Sequence, residues 1–181
     1  LLKNSTEKRV SISFFGMEPL LRYDLIQEVV AYANKETEKA GKRVSYSMTT
    51  NGTLLNDDKI KWLIDNKVGI LLSMDGLPHE ENQRRFPDGS PSGDIVFQNA
   101  INLLGAGYTP TIRWTFTPET VKYIYPDSAK LARLGFRTLA IEPVYSAKWT
   151  DEALAEYQKE LRKIAIFYRE EARAGRRLTI K

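Results

Sequence analysis

Two kinds of segment alternate along this chain of 181 residues, and their alternation restricts the fold class. Short runs rich in β-branched and aromatic residues are followed by longer runs whose apolar residues recur every three or four positions. This rhythm predicts an α/β fold in which helices connect the strands of a largely parallel sheet. The runs that predict strands are Val10 to Phe15, Val44 to Thr49, Val68 to Ser73, Thr109 to Phe116 and Thr138 to Pro143.

A helical pattern follows each predicted strand. The first helix is expected from about Leu21 to Lys39 and the second from about Asp57 to Asn66. The third and fourth are expected to stop at Gly105 and Gly135, because glycine commonly ends a helix, and the last opens at Thr150. About five β-α units result, which fits either an open doubly wound sheet or an arc of a β/α barrel.

Composition excludes several kinds of site. The sequence has no cysteine and a single histidine, His79, so it contains neither a disulfide nor thiolate ligands for a metal. The net charge of +4 is mild and spread along the chain, and no apolar run approaches the ~18 residues of a membrane span. We therefore expect a cytoplasmic domain, residues 1–181, with neither nucleic acid nor a membrane as its partner.

Small, hydroxylic or acidic residues follow the predicted strands. Ligands of α/β proteins bind at the carboxyl ends of the strands, so these residues form a candidate site. Each one alone is better explained as a turn former or a helix cap, and it is their recurrence at four of the five strand ends that indicates a site. The residues in question are Gly16 and Glu18, then Thr50, Asn51 and Gly52, then Ser73, Asp75 and Gly76, then Thr115 and Thr117, then Glu142.

Arg113 interrupts a strand that is otherwise suited to burial. A guanidinium inside a sheet requires an anion, either a buried glutamate or the carboxylate of a ligand. Trp114 and Phe116 should point to the opposite face and pack against helices. The loop from Leu77 to Asp94 is longer than ordinary connections, which predicts a lid or a substrate loop. Its Arg84-Arg85 pair either binds an anion or forms a solvated face.

Three segments resemble motifs of radical S-adenosylmethionine (radical SAM) enzymes. Residues 14–21 read FFGMEPLL and resemble the strand-ending GGEP motif, and residues 49–55 read TTNGTLL and resemble the TNGTLL motif. Residues 72–76, with His79 and Arg85, resemble the SLDG…H(D)xxxR stretch, and the segment around Glu142 resembles a later barrel strand. The resemblance is to the branch that modifies peptides and proteins, which includes the anaerobic sulfatase-maturing enzymes and relatives with SPASM extensions.

The resemblance implies a partial (β/α)6 barrel that binds SAM beside a 4Fe-4S cluster. It also implies a peptide or protein substrate and an external electron donor such as flavodoxin or ferredoxin. Glu18 would receive the ammonium of SAM, and Ser73, with Arg113 or Arg85, would hold the methionine carboxylate or the ribose hydroxyls. The cofactor-binding residues expected from the resemblance are Gly16, Met17, Glu18, Pro19, Thr50, Asn51, Ser73, Asp75, Arg85, Arg113 and Glu142.

The chain departs from the family pattern in two places. Met17 occupies the position of the second glycine of GGEP: either the backbone there is ordinary and methionine is tolerated, or SAM binding is weakened. The CxxxCxxC motif is absent from residues 1–181, so these residues cannot ligate the cluster. We expect a fragment of a longer radical SAM enzyme. The alternative is a cysteine-free homologue that binds a peptide or a partner protein.

Overall fold

Six parallel strands form one sheet in this computed structural model, which describes residues 6–79 and 84–181. Residues 1–5 and part of the predicted loop, residues 80–83, lie outside the description. The strands are β1 (Arg9–Phe14), β2 (Arg43–Thr50), β3 (Val68–Ser73), β4 (Thr111–Phe116), β5 (Thr138–Pro143) and β6 (Thr179–Ile180).

Five α-helices connect the strands. They are α1 (Tyr23–Lys39), α2 (Asp57–Asp65), α3 (Gly93–Gly105), α4 (Ile124–Leu134) and α5 (Asp151–Arg173). Short 3-10 turns at Pro19–Arg22 and Val121–Tyr123 lead into α1 and α4. Asn56 and Thr150 cap α2 and α5 through their side chains, because their oxygens satisfy backbone N–H groups that have no partner within a first helical turn.

The strands follow one another in the sheet in their order along the chain, from β1 to β6. In a doubly wound sheet, the order of the strands across the sheet reverses near the first strand. No such reversal is present, so the open doubly wound alternative is wrong. Sequential parallel strands with right-handed connections place all the helices on one face. The sheet is an arc of a β/α barrel, with β1 at one edge and β6 at the other, and it is not closed.

The hydrophobic core lies between the helices and one face of the sheet. Burial alternates along β2, β3 and β4, since successive side chains of a strand point to opposite faces. Trp114 and Phe116 are 1% exposed and belong to this core, so the prediction that they face away from Arg113 is confirmed.

The other face of the sheet, which we call the open face, carries small and polar residues. A closed barrel usually fills this interior with bulky branched side chains, whereas leucine is the one large apolar residue here. The members of the open face are Arg9, Ser11, Ser13, Arg43, Ser45, Ser47, Thr49, Gly69, Leu71, Ser73, Thr111, Arg113, Thr115, Thr138, Ala140 and Glu142.

Most predicted boundaries agree with the structure to within two residues, and three details differ. Strand β4 begins at Thr111 because Pro110 has no N–H for the ladder. Helix α3 ends at Gly105 as expected, but the left-handed residue that follows it is Gly107, at φ +79. Strand β6 has only two residues, too few to produce a recognisable pattern. No described helix is both long and apolar enough to cross a membrane.

The turn after β3 gives a direct test of this packing. Gly76 has φ +82, and a Cβ there would lie 2.5 Å from Asp127 Oδ2 and 2.8 Å from the Trp114 ring. We expect Gly76→Ala to destabilise the fold by at least about 2 kcal/mol. Gly89→Ala is the matched control, because Gly89 has φ +86 with open space around it and should cost about 1 kcal/mol. Urea unfolding midpoints measure both, and equal losses would contradict the packing described.

Candidate cofactor site

Glu18 is the acidic residue at the carboxyl end of β1, and its side chain is largely buried, with the residue 9% exposed. Its Oε1 accepts hydrogen bonds from the Thr50 hydroxyl at 2.8 Å and from the Leu20 N–H at 3.1 Å. Its Oε2 accepts from the Asn51 N–H at 2.7 Å. A carboxylate oxygen accepts about two hydrogen bonds, so Oε2 retains one acceptor position for a further donor.

The backbone before Glu18 is left-handed at two successive residues. Gly16 has φ +110 and Met17 has φ +49. A non-glycine residue there costs on the order of 1 kcal/mol or more. The alternative of an ordinary backbone at Met17 is therefore wrong. The Met17 side chain is fully exposed, so packing against the described residues does not offset this cost.

The turn after β2 is organised by its own side chains. Thr50 Oγ1 accepts from the Gly52 N–H at 3.0 Å, and Asn51 Oδ1 accepts from the N–H and the hydroxyl of Thr53. The Gly52 carbonyl accepts from the buried side chain of Asn99 on α3. These bonds hold the turn in which the Asn51 N–H donates to Glu18. The ends of β1 and β2 are therefore joined by hydrogen bonds.

Asp75 connects the end of β3 to β4 and to the following loop. Its Oδ1 accepts from the N–H and the hydroxyl of Thr115, at 2.9 and 3.0 Å. The Arg84 guanidinium donates to both of its oxygens through Nε and Nη2. Arg84 therefore attaches the loop to the end of β3. The hydrogen bonds of Asp75 are accounted for by this structural role, which is to join β3, β4 and the loop.

Residues 84–92 fold into a small hairpin beside Glu18. Arg85 and Pro91 form a β-bridge, and the Phe86 N–H donates to the Ser90 carbonyl. The Ser90 side chain and N–H donate to Asp88 and lower the pKa of that carboxyl. The described part of the predicted long loop therefore forms a hairpin at the rim, and its role as a lid or a substrate loop stays a prediction.

A cavity of about 300 Å³ lies between this hairpin and the ends of β1 and β2. Glu18, Asn51 and Arg85 are among the residues that line it, and Arg85 Nη1 donates to the Gly89 carbonyl. Ser92, at the start of α3, also lines it, and its side chain does not cap that helix. A carboxylate and a guanidinium therefore line one cavity.

Ser73, Arg113 and Glu142 lie on the open face, outside the lining of that cavity. Arg113 Nη2 contacts Glu142 Oε2 at 3.4 Å, and the two side chains are 42% and 51% exposed. Of the two alternatives for Arg113, a buried glutamate or a ligand carboxylate, the first is wrong, because its partner Glu142 is half-exposed. Ser73 is the register partner of Arg113 on β3.

The sequence analysis missed Asp127, which is 2% exposed on α4. It accepts from the Leu77 N–H at 2.8 Å and contacts His79 Nε2 at 2.9 Å. The His79 ring stacks on Tyr123 at 3.9 Å. The loop after β3 is therefore fastened to α4. Asp127 lies 50 positions after its partner Leu77, and no local motif marks it.

A family model described as "Radical SAM superfamily" matches residues 2–125, more than half of the chain. The chain belongs to the radical SAM superfamily. The family implies SAM and a 4Fe-4S cluster as cofactors, and the resemblance drawn from the three motifs is confirmed.

Three curated proteins show the same relationship over part of their length. An uncharacterized protein of Methanocaldococcus jannaschii is 39% identical over 139 residues, which is 75% of this chain and 47% of that protein. The radical SAM cyclopropyl synthase TigE of Paramaledivibacter caminithermalis is 31% identical over 49% of this chain and 18% of its own length. A cysteine-type anaerobic sulfatase-maturating enzyme of Clostridium novyi is 29% identical over 51% of this chain and 24% of its own length. The chain thus spans less than half of each of these relatives.

Solved structures confirm the fold. Native anSMEcpe with bound AdoMet superposes with a TM-score of 0.83 at 22% identity, over 99% of this chain and 51% of that one. Streptococcus suis SuiB bound to the precursor peptide SuiA superposes with a TM-score of 0.63 at 16% identity, over 95% of this chain and 37% of that one. The partial barrel is therefore the architecture of this chain.

The residues present fit one of the two family cofactors. Glu18 and Arg85 carry opposite charges around one cavity, as the ammonium and carboxylate of an amino acid require. A 4Fe-4S cluster is held by thiolates, and the 181 residues contain no cysteine. Nor do the described residues gather three histidine, aspartate or glutamate side chains that could hold a metal ion.

The hydrogen bond between Thr50 and Glu18 is a test of how this site is supported. Thr50→Val keeps the shape of a side chain that is 1% exposed but removes the donor to Glu18 and the acceptor for Gly52. We expect a loss of about 2 kcal/mol in unfolding free energy, because a bond to a buried charge is lost. Thr50→Ser keeps the hydroxyl and should lose about half as much. If the Thr50→Val variant is as stable as the Thr50→Ser variant in thermal and urea unfolding, this hydrogen bond does not support the rim.

Proposed function

We propose that this chain is the SAM-binding part of a radical SAM enzyme that modifies a peptide or protein. The observation that carries the proposal is the cavity at the carboxyl ends of the strands that Glu18 and Arg85 both line. Family membership and the match to a structure with bound AdoMet support the choice of SAM over another zwitterion.

Glu18 would bind the ammonium of the methionine group. Its remaining acceptor position is on Oε2, and its other bonds hold the carboxylate in place before a ligand arrives. Preorganisation of this kind lowers the entropy lost on binding. Gly16, Met17 and Pro19 set the path of the backbone around Glu18 and would approach the same end of the ligand.

Arg85 would bind the methionine carboxylate. A guanidinium can donate two parallel hydrogen bonds to a carboxylate, and within the described residues one Arg85 donor, Nη1, is bonded to the hairpin at the Gly89 carbonyl. Ser73, at the end of β3, would donate to the ribose hydroxyls. Thr50, Asn51 and Asp75 would then act by holding the rim, as their hydrogen bonds indicate.

SAM bound beside a reduced cluster supplies a 5′-deoxyadenosyl radical that removes a hydrogen atom from a substrate. The residues of this chain would hold the sulfonium cofactor in one orientation, and the hairpin of residues 84–92 would shield it from water. The cluster ligands would come from residues outside these 181, with a flavodoxin or a ferredoxin as the electron donor.

Peptide or protein modification is supported by the relatives. One is a cysteine-type anaerobic sulfatase-maturating enzyme, and one matched structure contains a precursor peptide. The open face supplies a compartment lined by hydroxyl groups, which can pair with the amide groups of a peptide backbone.

A second candidate is a cysteine-free homologue that binds a peptide or partner without radical chemistry. The absence of cysteine from the sequence favours it. The two candidates differ in SAM binding, since only the first uses the pair Glu18 and Arg85 for a cofactor.

Isothermal titration calorimetry of this chain with SAM tests the proposal. We expect saturable binding that Arg85→Gln weakens at least about tenfold, because the carboxylate loses its charged partner. Glu18→Gln should weaken it as well, and the unfolding free energy of that variant shows whether its fold is retained. Arg162→Gln, on the exposed surface of α5, is the charge-matched control and should bind like the unaltered chain. Absence of SAM binding, or equal binding by Arg85→Gln, would favour the second candidate.

A further inference from the structure

Toward the carboxyl ends of the strands, the charged side chains of the open face lie on β4, on β5 and at the residue after β6. On β1 and β2 the open face begins with Arg9 and Arg43 at the amino ends of the strands and continues with serine and threonine, and on β3 it is formed by glycine, leucine and serine. Arg113 on β4 and Glu142 on β5 bring the charges nearer the carboxyl ends. Lys181 is held beside β5, because its carbonyl accepts from the Ile141 N–H and its N–H donates to the Leu139 carbonyl. We call Arg113, Glu142 and Lys181 the charged patch.

The two cations of the charged patch stand on either side of a small residue. Arg113 is the register partner of Ala140, and the backbone bonds of Lys181 place it opposite the same alanine. Neighbouring strands are about 4.8 Å apart, so the two basic residues lie on either side of one methyl group.

Glu142 only partly neutralises this arrangement. It approaches Arg113 through a single contact of 3.4 Å, and its own side chain is half exposed. Exposed pairs of this kind contribute little, whereas a bidentate carboxylate would give a guanidinium two short bonds. A ligand carboxylate can therefore displace Glu142 from Arg113.

The charged patch is separate from the cavity beside Glu18. Arg85 lines that cavity and Arg113 does not. The chain thus offers one guanidinium at the rim and another on the open face, and a single methionine carboxylate needs only one of them. The second is available to a different ligand.

We propose that the charged patch binds a carboxylate side chain, Asp or Glu, of the peptide substrate. The inference rests on the proposed function in taking the open face as the substrate compartment. Arg113 is then a specificity-determining residue, and Glu142 contacts its guanidinium in the absence of substrate. Substrates of this protein would carry an acidic residue within a few positions of the modified one.

The test uses this chain, labelled with nitrogen-15, and three capped tripeptides: acetyl-Gly-Glu-Gly-amide and its Gln and Lys counterparts. The probe is the Nε–H signal of Arg113. We expect the Glu peptide to shift this signal saturably, with an apparent affinity at least about fivefold above that for the Gln peptide. Glu142→Gln should strengthen binding of the Glu peptide, and Arg113→Gln should abolish its preference over the Gln peptide. Arg162→Gln is the control and should keep the preference.

The same samples separate this inference from the proposed function. If the Glu peptide binds through Arg113 and SAM does not bind, the charged patch stands and the cofactor assignment fails. If Arg113→Gln weakens SAM binding and leaves the peptide preference intact, Arg113 belongs to the cofactor and the inference is overturned. It is also overturned if the three peptides bind equally, if the Lys peptide binds best, or if none shifts the Arg113 signal.

Discussion

The two-residue period of the strands is the constraint on which the rest of this structure depends. Because side chains alternate between faces, β4 sends Trp114 and Phe116 into the helical layer and Arg113 to the open face. The same alternation buries apolar residues of β2 and β3 on one side and leaves mostly small and polar residues on the other. One face supplies the stability of the arc, and the other remains free to accept a ligand.

Carboxylates at the strand ends connect neighbouring strands and loops at the rim of the sheet. Glu18 ties the end of β1 to the turn after β2, and Asp75 ties the end of β3 to β4 and to Arg84. Asp127 fastens the next part of the loop to α4. Each carboxylate accepts from backbone N–H groups that would otherwise lack partners, which is the condition for burying a charge. The rim is therefore rigid before any ligand binds, and the hairpin of residues 84–92 is positioned over it.

The strand positions were predictable from local pattern, since β-branched runs and their polar ends mark them directly. The two bounds of β3 and of β5 were predicted as the structure has them. The motif around Glu18 also located the rim correctly. What could not be predicted depends on distant contacts: the choice of Arg84 as the partner of Asp75, the role of Asp127, and the exposed setting of Arg113. Met17 shows the same limit, because nothing local to a methionine indicates a left-handed backbone.

The central claim is that the cavity between Glu18 and Arg85 binds SAM. Backbone amide spectra of the chain, recorded during a titration with SAM, test this claim most directly because they locate the ligand. The account predicts saturable shifts at Gly16, Asn51 and Arg85. Shifts confined to the groove between α2 and α3, which Ile60, Ile64 and Ile101 line, would contradict it, as would spectra that do not change.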